Sequence, residues 1–214
     1  MRRFDALLIH QPAVYDFRKI VHFPGPFSQF SIHTTAQYIQ IPQGMLSIAD
    51  YLDRHGYKVL IDNVGERMLI DPSFDLESYI KQSHATVYAV GWHRYIHGHG
   101  ALEVARMCKN LHPDSLVVLG GLTATIFSRE IIQKYDFVDV VIRGEAEKPL
   151  LKLLEIYERR GSIAALLNLT FRDDGRIVET PLMKPSENLD EFEFTRIDLL
   201  EPKGSIYTLG TTPT

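Results

Sequence analysis

Four apolar runs recur along the chain: ALLIH (6–10), KVLID (58–62), TVYAVG (86–91) and LVVLGG (116–121). A fifth, VDVVIRG (138–144), follows them. Each is short, rich in Val, Ile and Leu, and nearly continuous rather than alternating. Such runs predict strands covered on both faces, which is the situation of a parallel sheet. Between them the apolar period becomes that of a helix. Residues 44–56 place Met45, Ile48, Ala49 and Leu52 on one face, and Gly56 is a natural stop. Residues 75–82 form a shorter helix. Residues 100–113 turn Leu102, Ala105, Met107 or Cys108, and Leu111 inward, and Pro113 ends the segment. Residues 128–135 follow with Ser128 as a capping candidate, and residues 145–161 form the longest helix, closed by Gly161.

Strands alternating with helices predict an α/β fold of the Rossmann-like, flavodoxin-like kind, a doubly wound parallel five-stranded sheet of order 2-1-3-4-5. Ligands of such a sheet bind at the carboxyl ends of its strands. After Gly161 the character changes. Two short strands flank Asp174-Gly175, a strong hairpin signal, and residues 182–204 carry Pro185, Pro202 and acidic residues without clear periodicity. The expected organisation is a domain over 1–162, then a hairpin and linker over 163–214. The last residues, SIYTLGTTPT, read as a strand cut off from a further module.

The 214 residues are 45% apolar and 23% charged, an ordinary globular balance. Lys and Arg number 23 against 27 Asp and Glu, a net charge of −4, which gives no electrostatic case for binding nucleic acid. No apolar run approaches the roughly 18 residues of a membrane span, and the short run after Arg2-Arg3 falls below a signal-peptide core. The expectation is a soluble, cytoplasmic protein. The single cysteine, Cys108, excludes an intrachain disulfide and a Cys-held iron–sulfur cluster within these residues.

The stretch from Gln11 to Pro42 is long for a connection that normally runs about 2–6 residues. It carries Tyr15, Phe17, Phe23, Phe27, Phe30 and Tyr38, too aromatic for a disordered segment, and it leaves a central strand where a ligand sits. The first strand lacks a G-x-G-x-x-G turn, and the chain has no Walker sequence. His93, His97 and His99 in GWHRYIHGHG admit three readings: a metal site, a loop lining a ligand pocket, or surface histidines. Gly98 and Gly100 favour a loop. In LGGLTAT, Gly120 and Gly121 let backbone approach a bulky ligand, and Thr123 offers a hydroxyl; a tight turn would need one Gly alone. In VIRGEAEKPL, Gly144 follows the fifth strand. Glu145 and Glu147 suit a helix N-terminus, and Arg143 suits either a carboxylate or a ligand.

Taken in order, PQGMLSIADYLDRHGYKVLIDN, VVLGGLTAT and VDVVIRGEAEKPL resemble the N-terminal cobalamin-binding domain of B12-dependent radical S-adenosylmethionine (SAM) proteins. The family patterns are P-x-G-L-x-x-L-A-x-x-L, V-x-x-G-G-x-x-x-[ST] and V-x-G-E-x-E. The resemblance implies cobalamin at the carboxyl edge, with Gly91, Gly120, Gly121 and Gly144 lining a channel for its nucleotide tail. It implies Trp92 and His93 at corrin or tail, Thr123 on a tail oxygen, and Gln11 and Pro12 near the corrin. Gly44 of the P-x-G turn, Arg143 and Glu145 complete the implied set. The D-x-H-x-x-G motif that supplies a lower cobalt ligand in methionine-synthase-type domains is absent, which leaves His10 as the nearest positional candidate. The C-x-x-x-C-x-x-C of a radical SAM module is also absent, so the [4Fe–4S] cluster and SAM belong to a partner module of the same polypeptide. The competing expectations are a ligand-free flavodoxin-like interaction or regulatory module, and a histidine-based metal-binding domain.

Overall fold

A computed structural model describes residues 2–19 and 42–203. The aromatic positions Phe23, Phe27, Phe30 and Tyr38 of the first long connection lie outside these residues, as does the chain after Lys203. Strands β1 (Arg2–His10), β2 (Val59–Asn63), β3 (Ser83–Gly91), β4 (Leu116–Gly120) and β5 (Val140–Ile142) lie parallel in the order 2-1-3-4-5. The register sets Leu8 beside Ile61 and Ala89, and Val118 beside Ala89 and Val140.

Both faces of this sheet are covered, which is why its strands are apolar without alternation. One face packs α2 (Val64–Ile70), α3 (Leu76–Gln82), α4 (Gly98–Leu111), α5 (Leu122–Ile126) and α6 (Ser128–Lys134). There Leu7, Ile9, Tyr88, Val90 and Leu119 meet Met68, Ile80, Val104 and Ile131. The other face packs α1 (Gln43–Arg54) and α7 (Glu147–Glu158), with Ala6, Leu8, Val87 and Val118 against Leu46, Leu52, Leu150 and Leu154. Cys108 is fully buried in the first of these layers, and burial pushes its thiol pKa up.

Among the described residues the sheet has eight strands rather than the expected five. The hairpin of β6 (Leu169–Asp173) and β7 (Arg176–Glu179) turns at Asp174-Gly175, both at positive φ, as anticipated. It does not stand apart, because β6 pairs antiparallel with β5, Leu169 opposite Ile142 and Phe171 opposite Val140. At the far side β8 (Leu200–Glu201) pairs parallel with β2. The segment before it runs along α1, where Arg196 binds Asp53 at 3.0 Å and the Arg54 guanidinium donates to the Glu191 carbonyl. The short helix α2 starts with Asn63 accepting from the Glu66 N–H and was hidden by Gly65, although N-x-x-E is a capping signature. Among the described residues no helix is long and apolar enough to cross a membrane.

Candidate functional site

The carboxyl ends of β1, β3, β4 and β5 form one edge, and the loops leaving it carry most of the residues singled out from the sequence. Gln11, the first residue past β1, is buried and donates its Nε2–H to the Gly91 carbonyl at 2.5 Å, which stitches β1 to β3 beyond their ladder. Gly91 itself pairs with Gly120. The Trp92 N–H donates to the Gly120 carbonyl at 2.6 Å. The Trp92 and His93 carbonyls accept from the N–H groups of Ala124 and Thr123, both at 3.2 Å, and so cap α5.

Several expected roles change in this light. The Thr123 hydroxyl is buried and donates to the His93 carbonyl at 3.0 Å, so its proton is committed within the chain. Gly121 has φ +103°, and a Cβ there would lie 2.8 Å from the Trp92 carbonyl carbon and oxygen; its missing side chain makes room for this loop. Gly98 and Gly100 open α4 rather than form a loop. A Cβ on Gly100 would sit 1.9 Å from the Pro12 carbonyl oxygen, so the glycine admits the helix against the chain leaving β1. Gly100 N–H donates to the Ala13 carbonyl at 3.1 Å.

At β5, Arg143 turns toward the hairpin: its guanidinium donates to the carbonyls of Leu169 and Thr180. Gly144, at φ +74°, donates its N–H to the Thr125 hydroxyl at 3.0 Å. The Glu145 carboxylate accepts from the Ser186 N–H. Asn168, at φ +66°, accepts from the Met183 N–H and donates to the Glu145 carbonyl, and so anchors the hairpin here. Sequence reasoning passed over Asn168, although Asn is among the few residues at ease with positive φ.

The three histidines do not converge. His97 is buried with its ring edge-on to His10, centroids 5.9 Å apart; His99 Nδ1 accepts from the Tyr15 N–H at 3.3 Å; His93 is exposed. Among the described residues no group of three or more His, Cys, Asp or Glu is placed to hold a metal ion. His93 instead lines an open cleft of ≈ 470 Å³ with Arg94, Tyr95, Ile96, Thr123, Ile126 and Phe127.

Room and unused polar groups remain at the edge. Burial, and secondarily His97, lowers the His10 pKa to about 4, so its imidazole is neutral at ordinary pH. Among the described residues, His10 Nε2, Gln11 Oε1 and Trp92 Nε1 are enclosed without a hydrogen-bond partner. Among the described residues, a side chain at Gly44 would meet nothing within 4 Å, and one at Gly120 only the Ile142 carbonyl at 4.0 Å. The walls over Gly91 and Gly120 are α1 and α7, joined where buried Ser47 donates to Glu147 Oε1 at 2.7 Å. Buried polar atoms without partners are costly, and a corrinoid with its fringe of amides offers both the donors and the acceptor that these three atoms lack. The residues present fit that group.

Known proteins point the same way. The chain is 27% identical over 153 residues to the anaerobic magnesium-protoporphyrin IX monomethyl ester cyclase of Cereibacter sphaeroides, covering 70% of this chain and 24% of the cyclase. It is 22% identical over 201 residues to an uncharacterized methyltransferase of Pyrococcus horikoshii, covering 94% of this chain and 39% of that protein. It thus spans well under half the length of these relatives. Among solved structures, the radical SAM methyltransferase TsrM of Kitasatospora setae, with cobalamin and a [4Fe–4S] cluster bound, superposes with a TM-score of 0.58 at 16% identity, over 90% of this chain and 31% of that one. The cobalamin-dependent radical SAM enzyme OxsB superposes with a TM-score of 0.59 at 10% identity, over 86% of this chain and 23% of that one. These superpositions bear on the fold. The sequence profile of the B12 binding domain matches residues 31–154, more than half of the chain, and the protein therefore belongs to the B12-binding domain family.

Proposed function

We propose that this chain holds cobalamin at the carboxyl edge of its sheet and serves as the cofactor domain of a larger B12-dependent radical SAM protein. The observation that carries the reading is three enclosed polar atoms at the carboxyl edge, His10 Nε2, Gln11 Oε1 and Trp92 Nε1, which have no hydrogen-bond partner among the described residues. They lie on the side of α4, and Gly120 on the side of α1 and α7 is left uncovered by the described residues. Gln11 and Trp92 bind corrin amides. The nucleotide tail lies over Gly91 and Gly120 between α1 and α7, with Gly44 at its entrance. His10, held neutral by burial and with Nε2 without a partner among the described residues, would be the residue to ligate cobalt. Pro12, Gly121, Thr123, Arg143, Gly144 and Glu145 act through the backbone and hairpin contacts described above, shaping the loops rather than touching the ligand. When bound, cobalamin supplies the methyl-transfer or redox chemistry, and the protein supplies orientation and electrostatics. The [4Fe–4S] cluster and SAM belong to the module that completes the protein, since Cys108 is buried in α4 and is this chain's only thiol.

Titration with hydroxocobalamin tests the reading. A saturable shift of the corrin visible bands is expected, and no shift at high micromolar cofactor overturns it. Nitrogen superhyperfine splitting in the electron paramagnetic resonance spectrum of the cob(II)alamin complex, lost in His10→Ala, is the signature of His10 on cobalt.

A further inference from the structure

The first turn of α1 leans over the carboxyl end of β3. There the terminal methyl of Met45 stands 2.6 Å from the point a Cβ on Gly91 would occupy, so this side chain fills the space the glycine leaves. The register partner of Gly91, Gly120, differs: none of the described residues stands nearer to its missing Cβ than the Ile142 carbonyl at 4.0 Å. Both glycines belong to the face that carries α1 and α7, because Val87 and Ala89 before one and Val118 before the other pack in that layer. The result is a trough across β3 and β4, open over Gly120 and closed over Gly91 by one unbranched thioether.

The trough's walls are held more firmly than its floor. Buried Ser47 donates to Glu147 and ties α1 to α7, and Leu46, Leu52, Leu150 and Leu154 lock the two helices onto the sheet below. The Met45 side chain has three rotatable bonds and no polar anchor, and the backbone is held in the helix, its N–H donating to the Pro42 carbonyl at 2.8 Å. A group entering the trough displaces Met45 at little cost and parts the helices only at a large one.

We infer that Met45 is the specificity-determining residue of the tail trough. It lies on Gly91 when the trough is empty, swings off when the nucleotide tail enters, and sets the size of the base that can be seated. The inference rests on the cobalamin reading given above. It concerns the nucleotide tail alone, so it separates corrinoids with a tail from those without.

Spectral titration of cobalamin and of cobinamide, which has the corrin but no nucleotide, provides the test, with dissociation constants for the wild type, Met45→Ala and Met45→Phe. The expected result is that Met45→Phe weakens cobalamin by about tenfold or more, the scale of a misfit of one or two carbons in a closed pocket. Met45→Ala should hold or tighten cobalamin, and cobinamide should respond to neither change. Thermal unfolding shows whether each variant is folded; should Met45→Phe fail to fold, Gly91→Ala, which pushes the Met45 methyl into the trough, replaces it with the same expectation. Equal responses of the two corrinoids, or no response from either, overturn the role of Met45 while leaving the cobalamin reading intact. Failure of both to bind the wild type overturns the cobalamin reading itself, and the inference with it.

Discussion

Gly120 and Gly121 are neighbours in the chain, yet they serve the two faces of the carboxyl edge in different ways. Gly121 points its missing side chain at the backbone of Trp92 and His93, and the loop after β3, the cap of α5 and the Thr123 hydroxyl fill the space completely. Gly120 opens toward α1 and α7, where the Ile142 carbonyl at 4.0 Å is the nearest of the described residues. A pair of glycines in sequence announces that backbone must come close to something. One of these two is needed by the protein's own loops, and the other leaves room for a ligand. The same division separates Gly100, pressed on Pro12, from Gly44, which no described residue approaches within 4 Å.

Substitution tests this division most sharply at Gly121. Gly121→Ala combines a backbone conformation reserved for glycine with a clash against main chain, and should cost about 3–5 kcal/mol of unfolding free energy in urea titration. A loss below about 1 kcal/mol for the alanine variant would show that the Trp92 loop yields easily and that the closed side is not closed.

The next effect in size is one of pH. His10 is held near a pKa of about 4 in the fold, against about 6.5 when unfolded, so between these values the unfolded chain binds the extra proton. Stability should therefore fall as pH drops from about 6.5 toward 4, by an amount on the order of 3 kcal/mol, and be unaffected by this group above that window. His10→Gln should flatten the profile measured by thermal unfolding. An unchanged slope would mean that His10 takes up its proton in the fold as readily as in the unfolded chain, and that its ring is not enclosed.

On the open side the sign reverses. Gly120→Ala should leave stability within about 0.5 kcal/mol, since among the described residues the added methyl meets only the Ile142 carbonyl, at ordinary contact distance, and the backbone is permissive. It should weaken cobalamin by about tenfold, read from the visible bands. The smallest effect belongs to the walls: Ser47→Ala removes the hydrogen bond to Glu147 and should cost about 1 kcal/mol. Equal thermal stability of Ser47→Ala and wild type would mean that α1 and α7 are held by their leucines alone.

The division between the two sides also shows what can be read from sequence. The five parallel strands were legible because a strand covered on both faces must be apolar throughout, and Gly56 and Asp174-Gly175 marked their turns by conformations that few residues accept. The glycines of the edge were legible as close approaches, but what approaches them is set by residues far along the chain. Nothing near Gly91 in sequence points to Met45, and nothing near Gly100 points to Pro12. Arg143 could be read as a ligand for a cofactor because the carbonyls that take its guanidinium belong to Leu169 and Thr180, in a hairpin whose attachment to β5 leaves no periodic trace. The helix α5 escaped because five residues are too few to show a period, and its N-terminus is capped by carbonyls from another loop rather than by a side chain of its own.

The hairpin has a consequence beyond anchoring Asn168. β5 is three residues long, and Val140, Val141 and Ile142 are all buried. Stripped of β6, it would offer a row of unpaired peptide groups flanked by apolar side chains, a template on which a second molecule could add its own strand. The hairpin moves the exposed rim of the sheet outward to β7, where Arg176 and Glu179 face solvent and Glu179 is engaged by Arg129 at 3.0 Å. A fragment ending at residue 162 would keep the strands that bear the glycines and lose this shield, and it should self-associate more readily than the longer chain.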